Sequence, residues 1–372
     1  MSKSAKRFVI NQLEKIGVRV DGPEPWAPHV HDERLWDRLL RDGTLGLGES
    51  YMEGWWDAEA LDQFLFRLIS GNIQEVFPKD LAVLWSVVRA RLFNLQRLRV
   101  NEVGERHYDI GNELYSAMLD SRMIYSCGYW AEAADLEAAQ EAKLDLICRK
   151  LGLRPGMHIL DIGSGWGGLL KFAAERYGIS GLGVTVSKEQ AALANERAKG
   201  LPIETRLQDY QALEGQFDRI VSVGMFEHVG YKNYRAYFEK AARLLKPDGL
   251  FLLHTIGGHH STTHGDPWSE KYIFPNGMLP SIAQIGKASE GLFVMEDWHN
   301  FGADYDRTLM AWRDNFDRAW PGLQGAKYDE RFQRMWRYYL SSFAALFRAR
   351  NISLWQVVLS PRGVEGGYRS IR

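Results

Sequence analysis

The chain has 372 residues, of which 45% are hydrophobic and 25% charged, with a formal net charge of −1. These globular proportions exclude disorder, collagen and a disulfide scaffold, and the charge excludes a global field that would attract nucleic acid or an anionic membrane. Two cysteines, Cys127 and Cys148, an amino terminus without a signal-peptide pattern and the lack of any run near the ~20 apolar residues of a membrane span predict a cytoplasmic protein.

At this length one large domain with a smaller companion is expected. Residues 1–95 read as a helix-rich mixed segment, 96–110 as a linker and 111–372 as the main domain. Within the first segment, LGLGESYMEGWW (Leu45–Trp56) reads as a turn and packing element. From Leu81 to Asn101 there is no acidic residue, and Arg89, Arg91, Arg97 and Arg99 stand among apolar side chains. Such a helix can lie at a membrane surface, or it can be buried between two domains or subunits.

From Leu136 the pattern predicts a doubly wound, mostly parallel α/β sheet. A helix over Leu136–Leu151 leads to a strand at Met157–Ile162, a glycine turn, and a helix to Tyr177 that Gly178 can close. Strands follow at Gly181–Val186, Ile203–Leu207, Arg219–Gly224 and Leu250–His254, with helices from Lys188 and over Asn233–Leu245. Ile352–Leu359 is the last strand. The Gly-, His- and aromatic-rich insertion before it is too long for a simple connection and is expected to be functional.

The strongest motif is HILDIGSGWGG. A strand ends in Asp161, and Gly163, Gly165 and Gly167 allow a tight turn and a close approach to a ligand. Such a loop also suits dinucleotides, but no second Rossmann half follows. The second strand carries no terminal acidic residue for a ribose; Thr185, Ser187 and Gln190 are the polar groups there, and Ser187 with Gln190 can equally form a capping box. Asp209, Tyr210 and Gln211 end the third strand, where an adenine could be held or a simple turn made. Glu227, His228 and His254 end later strands, where open α/β sheets bind ligands. Tyr125, Ser126 and Cys127 precede the sheet. Taken singly, His254 can be a core histidine, Glu227 a helix-terminus charge and Cys127 a small hydrophobe.

In order, YSCGYW, LDIGSGWGG, GVTVSKEQ, VSVGMFEHVG, LLHTIG, KYIFPNG and EDWHNFGADYDRTLMAW resemble the cyclopropane-fatty-acyl-phospholipid synthases and their mycolic-acid relatives. The resemblance implies a class I S-adenosylmethionine-dependent methyltransferase fold and transfer of a methylene group to the cis double bond of phospholipid acyl chains. It implies that Asp161, Gly163 and Gly165 hold S-adenosylmethionine, that Tyr125 and Ser126 reach its methionine end, and that Thr185 and Gln190 meet its ribose. It further implies a bicarbonate ion held by the backbone of Cys127 and Ile256 and by Glu227, His254 and Tyr305. Ser164 departs from the cysteine of some members. The amino-terminal segment, absent from mycolic-acid relatives, favours the phospholipid branch, with lipid contact or homodimerisation as its expected role. Peripheral association with the inner face of the cell membrane follows from that branch.

An alkene is a poor nucleophile, so the methyl donor must be held in line with it, and a carbocation must lose a proton before water traps it. Two other outcomes stay open: a fatty-acyl methyltransferase that stops at a methyl-branched or methylene product, and a lipid- or cofactor-binding module without catalysis. Nucleic-acid methylation lacks both a basic domain and an Asn/Asp-Pro-Pro-aromatic motif.

Overall fold

The computed structural model describes residues 2–73, 111–325 and 327–372. The basic apolar stretch 81–101, the linker 96–110 and the boundary at 95 lie outside the described residues.

Helices α1 (Ser2–Lys15), α2 (Leu35–Met52) and α3 (Leu61–Ser70) accompany an antiparallel ribbon of β1 (His29–Val30) and β2 (Trp56–Asp57). Next come α4 (Asn112–Met118), α5 (Leu136–Lys150), β3 (His158–Ile162), α6 (Gly168–Tyr177), β4 (Ser180–Thr185), α7 (Lys188–Arg197) and β5 (Ile203–Leu207). The chain continues through β6 (Phe217–Val223), α8 (Tyr234–Leu244) and β7 (Leu245–Gly258). The predicted insertion contains α9 (Pro267–Tyr272), α10 (Ile282–Ser289), β8 (Val294–Asn300), α11 (Ala303–Leu323) and α12 (Glu330–Arg348), before β9 (Ile352–Ser360).

Local chemistry sets many of these boundaries. Asp135 accepts from the Ala138 amide to begin α5, and Asp329 accepts from Phe332 to begin α12. Gly178 closes α6 in the left-handed conformation expected of it.

The sheet order is β5-β4-β3-β6-β7-β9-β8, parallel from β5 through β7, with β9 antiparallel to both its neighbours. The α/β expectation holds. Strand β8 was not legible: VMEDWHN carries two acidic residues and sits at an edge, so pairing with β9 rather than intrinsic preference makes it a strand. The strand order reverses between β3 and β6, which opens a crevice beyond their carboxyl ends.

One sheet face packs on α8 through Tyr237 and Phe238, and the other on α5 and α6 through Ile147 and Phe172. A third apolar cluster joins the amino-terminal helices to α4, α11 and α12, with Trp36, Trp56 and Phe64 in the same body as Trp312, Trp336 and Phe347. Much of the tryptophan content is used there. Polar contacts reinforce the junction: Asp62 accepts from Arg313 at 3.1 Å and from Arg348 at 2.8 Å, while Thr44 donates to Asp266 at 2.7 Å.

The Leu45–Trp56 stretch gains its explanation here. Leu45–Met52 is the last part of α2, beyond a kink at Gly43, and docks on α9, while Glu53 and Gly54 make a turn before β2. Glu49, 8% exposed, accepts from Arg38, Lys271 and Tyr272. A Cβ on Gly48 would come within 2.3 Å of the Trp268 ring. Helix propensity alone would favour Gly48→Ala by up to ~1 kcal/mol, whereas overpacking against a buried indole costs about 1–3 kcal/mol. Gly48→Ala is therefore expected to lower the urea midpoint of unfolding; an unchanged or raised midpoint would mean the junction yields.

Candidate active site

The ends of β3, β4, β6 and β7 open into one cavity of about 880 Å³. Asp161 and Gly163 stand where β3 enters it. Gly163 has φ 84°, and a Cβ there would lie 2.8 Å from the Met225 side chain, so conformation and close packing both require glycine. Gly165 follows at φ 54°. At the end of β4, Ser187 Oγ accepts from the Gln190 amide at 3.3 Å, which is half of the expected capping box. The reciprocal half is missing, because Gln190 Oε1 instead accepts from the Thr185 hydroxyl at 2.7 Å. Asp209 accepts from the Gln211 amide at 2.9 Å, making a turn that leaves Asp209, Tyr210 and Gln211 on the cavity wall.

Across the glycine loop lies the YSCGYW segment. The Tyr125 and Tyr339 hydroxyls are 2.8 Å apart, and the Tyr125 ring packs on Tyr115 and Trp312. Ser126 Oγ accepts from Lys143 Nζ at 2.8 Å, and the Ser126 carbonyl accepts from Gln140 at 2.7 Å. Cys127 is fully buried and its thiol points to the Gly128 carbonyl at 3.1 Å. Burial pushes that thiol well above its ordinary range, so no thiolate is poised for attack.

Beyond the sheet, Glu227 Oε1 accepts from the Ile256 amide at 2.7 Å, while Oε2 is buried without a hydrogen-bond partner among the described residues. Burial pushes Glu227 up to about 7, and Asp161 likewise up to about 7. His254, 1% exposed, is held well below its ordinary value by burial and by Lys143 and Lys150, so it is neutral. Gln356 Nε2 lies 3.3 Å from His254 Nδ1; with the amide donating there, the proton of the neutral ring is on Nε2, which is buried and has no hydrogen-bond partner among the described residues. Tyr305 is buried and stacks on Phe347 with centroids 4.6 Å apart. Glu227, Ile256 and Tyr305 line the cavity, together with Tyr125, Ser126, Asp161, Thr185 and Gln190. Cys127, Ser187 and His254 are not among its lining residues. The Ile256 amide, expected to face a bound ion, donates here to Glu227 Oε1 and so steadies the carboxylate.

Reasoning from sequence missed Lys143, Gln140, Gln356 and Tyr339. A signal existed for three of them. Gln140 and Lys143 fall on the apolar stripe of α5, and Gln356 is the polar residue at the centre of the fully buried β9.

The sequence matches the family described as mycolic acid cyclopropane synthetase over residues 96–357. It is 54% identical to the cyclopropane-fatty-acyl-phospholipid synthase of Escherichia coli (strain K12), over 98% of this chain and 96% of that protein. It is 34% identical to the tuberculostearic acid methyltransferase UfaA1 of Mycobacterium tuberculosis, over 98% of this chain and 90% of that protein. The mycolic acid cyclopropane synthase CmaA1, solved in complex with SAH and CTAB, superimposes with a TM-score of 0.65 at 33% identity, covering 70% of this chain and 97% of that one.

The carboxyl of Glu227 yields a pH prediction. Its folded value of about 7 lies above the ordinary 4.5, so the folded state binds the proton more tightly, and stability falls as pH rises from 4.5 through 7. Glu227→Gln should therefore melt higher than the parent at pH 8, without ligand, and close to it at pH 4. A difference independent of pH would contradict the buried, proton-linked carboxyl.

Proposed function

The chain belongs to the mycolic acid cyclopropane synthetase family, and from that premise we propose that it converts the cis double bonds of phospholipid acyl chains into cyclopropane rings, with bicarbonate as the base. It is an S-adenosylmethionine-dependent enzyme that forms cyclopropane fatty acyl groups. The observation that carries the finer reading is the single cavity. It runs from Asp161, Gly163 and Gln190 to Leu35, Trp36 and Phe64 of the amino-terminal helices, so one space offers polar groups for a nucleoside and apolar walls for a long chain.

The methyl donor supplies an electrophilic methyl group when bound, and bicarbonate a small base. Asp161, Gly163, Gly165, Tyr125 and Ser126 would hold the methionine end; Thr185, Ser187 and Gln190 the ribose region; Asp209, Tyr210 and Gln211 the adenine. Alignment of donor and alkene in a closed site can supply roughly 7–11 kcal/mol of the barrier. The rings of Tyr125 and Tyr305, backed by Trp312, would keep water from the cationic carbon and offer it π-faces.

Two buried atoms support the choice of base. Glu227 Oε2 can accept a hydroxyl proton and His254 Nε2–H can donate, and neither has a partner among the described residues. A small oxyanion carrying one hydroxyl would complement both, with the protonated Tyr305 and the Cys127 backbone as further donors and Ile256 steadying Glu227. Peripheral contact with a membrane and homodimerisation through residues 1–95 belong to the same reading. Its support is that the Escherichia coli relative matches 98% of the chain while the mycolic acid synthase structure covers 70%.

Monounsaturated phospholipid vesicles incubated with the protein and S-adenosylmethionine should gain one CH₂ per acyl chain and lose the alkene signal. Retention of the alkene, or a saturated methyl branch, would instead favour a fatty-acyl methyltransferase. The rate should fall in buffer scrubbed of carbon dioxide and recover with bicarbonate; full activity without any small anion would remove bicarbonate from the mechanism. Tyr305→Phe, which deletes one donor, should slow turnover roughly ten- to hundredfold with little change in cofactor affinity. Equal loss of rate and cofactor binding would place Tyr305 in the cofactor site instead.

A further inference from the structure

Lys143 belongs to none of the roles above, yet it is the most buried cation at the cavity, 1% exposed on the apolar stripe of α5. Among the described residues its Nζ makes one hydrogen bond, to Ser126 Oγ at 2.8 Å, although an ammonium carries three donors. Asp120 and Asp161 favour its charged form, but neither approaches within the 4.0 Å of an ion pair. Asp120 is occupied with the Arg122 and Ile124 amides. Lys143, Ser126 and Asp161 all line the cavity beside the glycine loop. A buried positive group and a buried negative group, side by side but not paired, leave the arrangement incomplete, because charge taken from water needs a counter-charge. A zwitterion completes it.

We propose that Lys143, with Ser126, receives the α-carboxylate of the cofactor's amino-acid end, while Asp161 faces its α-ammonium. This assignment rests on S-adenosylmethionine being the methyl donor. Lys143 then serves binding and orientation: by fixing the amino-acid end it sets the line along which the methyl group points into the apolar part of the cavity.

The test compares two nucleosides by calorimetry on the full chain. S-adenosylhomocysteine carries the amino-acid end, and 5′-methylthioadenosine lacks it. Lys143→Met, which keeps length and removes charge, should weaken S-adenosylhomocysteine roughly ten- to hundredfold while leaving methylthioadenosine within about twofold. Lys143→Gln, which retains a donor toward Ser126 but no charge, should show the same selective loss, so either variant suffices if the other folds poorly. Unchanged affinity for S-adenosylhomocysteine in a folded variant overturns the proposal. A parallel loss of both nucleosides does too, since it would make Lys143 a support of the whole pocket. If the parent chain binds neither nucleoside, the cofactor reading itself fails, and that result is distinct from either of these.

Discussion

Ionisable groups withdrawn from water govern this molecule. Asp161, Glu227, Lys143 and His254 are each at most 7% exposed, around a cavity whose walls are otherwise largely aromatic and aliphatic. Burial drives each toward its neutral form, raising the two carboxyls to about 7 and lowering Lys143 to about 8. The fold tolerates these unfavourable placements because the strands that carry Asp161 and His254 are held by both sheet faces, and α5 by the cluster beneath it. Such a site is held ready for charged ligands, since a partner of opposite charge restores what desolvation removed.

The same dryness suits the chemistry. In the proposed reaction a carbocation would close to a ring only where water cannot reach it, and the aromatic wall of the cavity is built from distant parts of the chain. Tyr125 comes from the segment before α5, Tyr305 from the first turns of α11, and Tyr339 from α12. The amino-terminal helices close the far side. Their attachment through Asp62, Glu49 and the Gly48–Trp268 contact therefore bears on the apolar end of the cavity as well as on stability. The link reaches the site itself, because the loop after α9 returns the Met278 amide to the Glu227 carbonyl at 2.9 Å.

The cysteine of YSCGYW shows how context assigns a role. A thiol beside a candidate active site invites a nucleophilic reading, yet Cys127 is fully buried, its thiol points to a carbonyl and its acidity is suppressed. Gln190 is similar: the capping-box pattern is present in sequence, but the amide oxygen accepts from the Thr185 hydroxyl, and the Ser187 amide that it would have capped donates to that same hydroxyl.

The sequence by itself determined the alternating α/β order, the glycine turn after β3, the family and most residues at the strand ends. Each of these is written locally, in hydrophobic period, turn chemistry or contiguous motif, and needs no knowledge of distant partners. Only the tertiary structure decided that LGLGESYMEGWW continues a helix docked on Trp268, that VMEDWHN is an edge strand, and that Ile256 binds Glu227. It alone brought Lys143 to Ser126, and Gln356 to His254, across 17 and 102 residues. The physical reason is common to all of them. Whether a polar group is a surface charge, a cap or a ligand-binding atom depends on what removes its water, and that is supplied by residues far away in the chain.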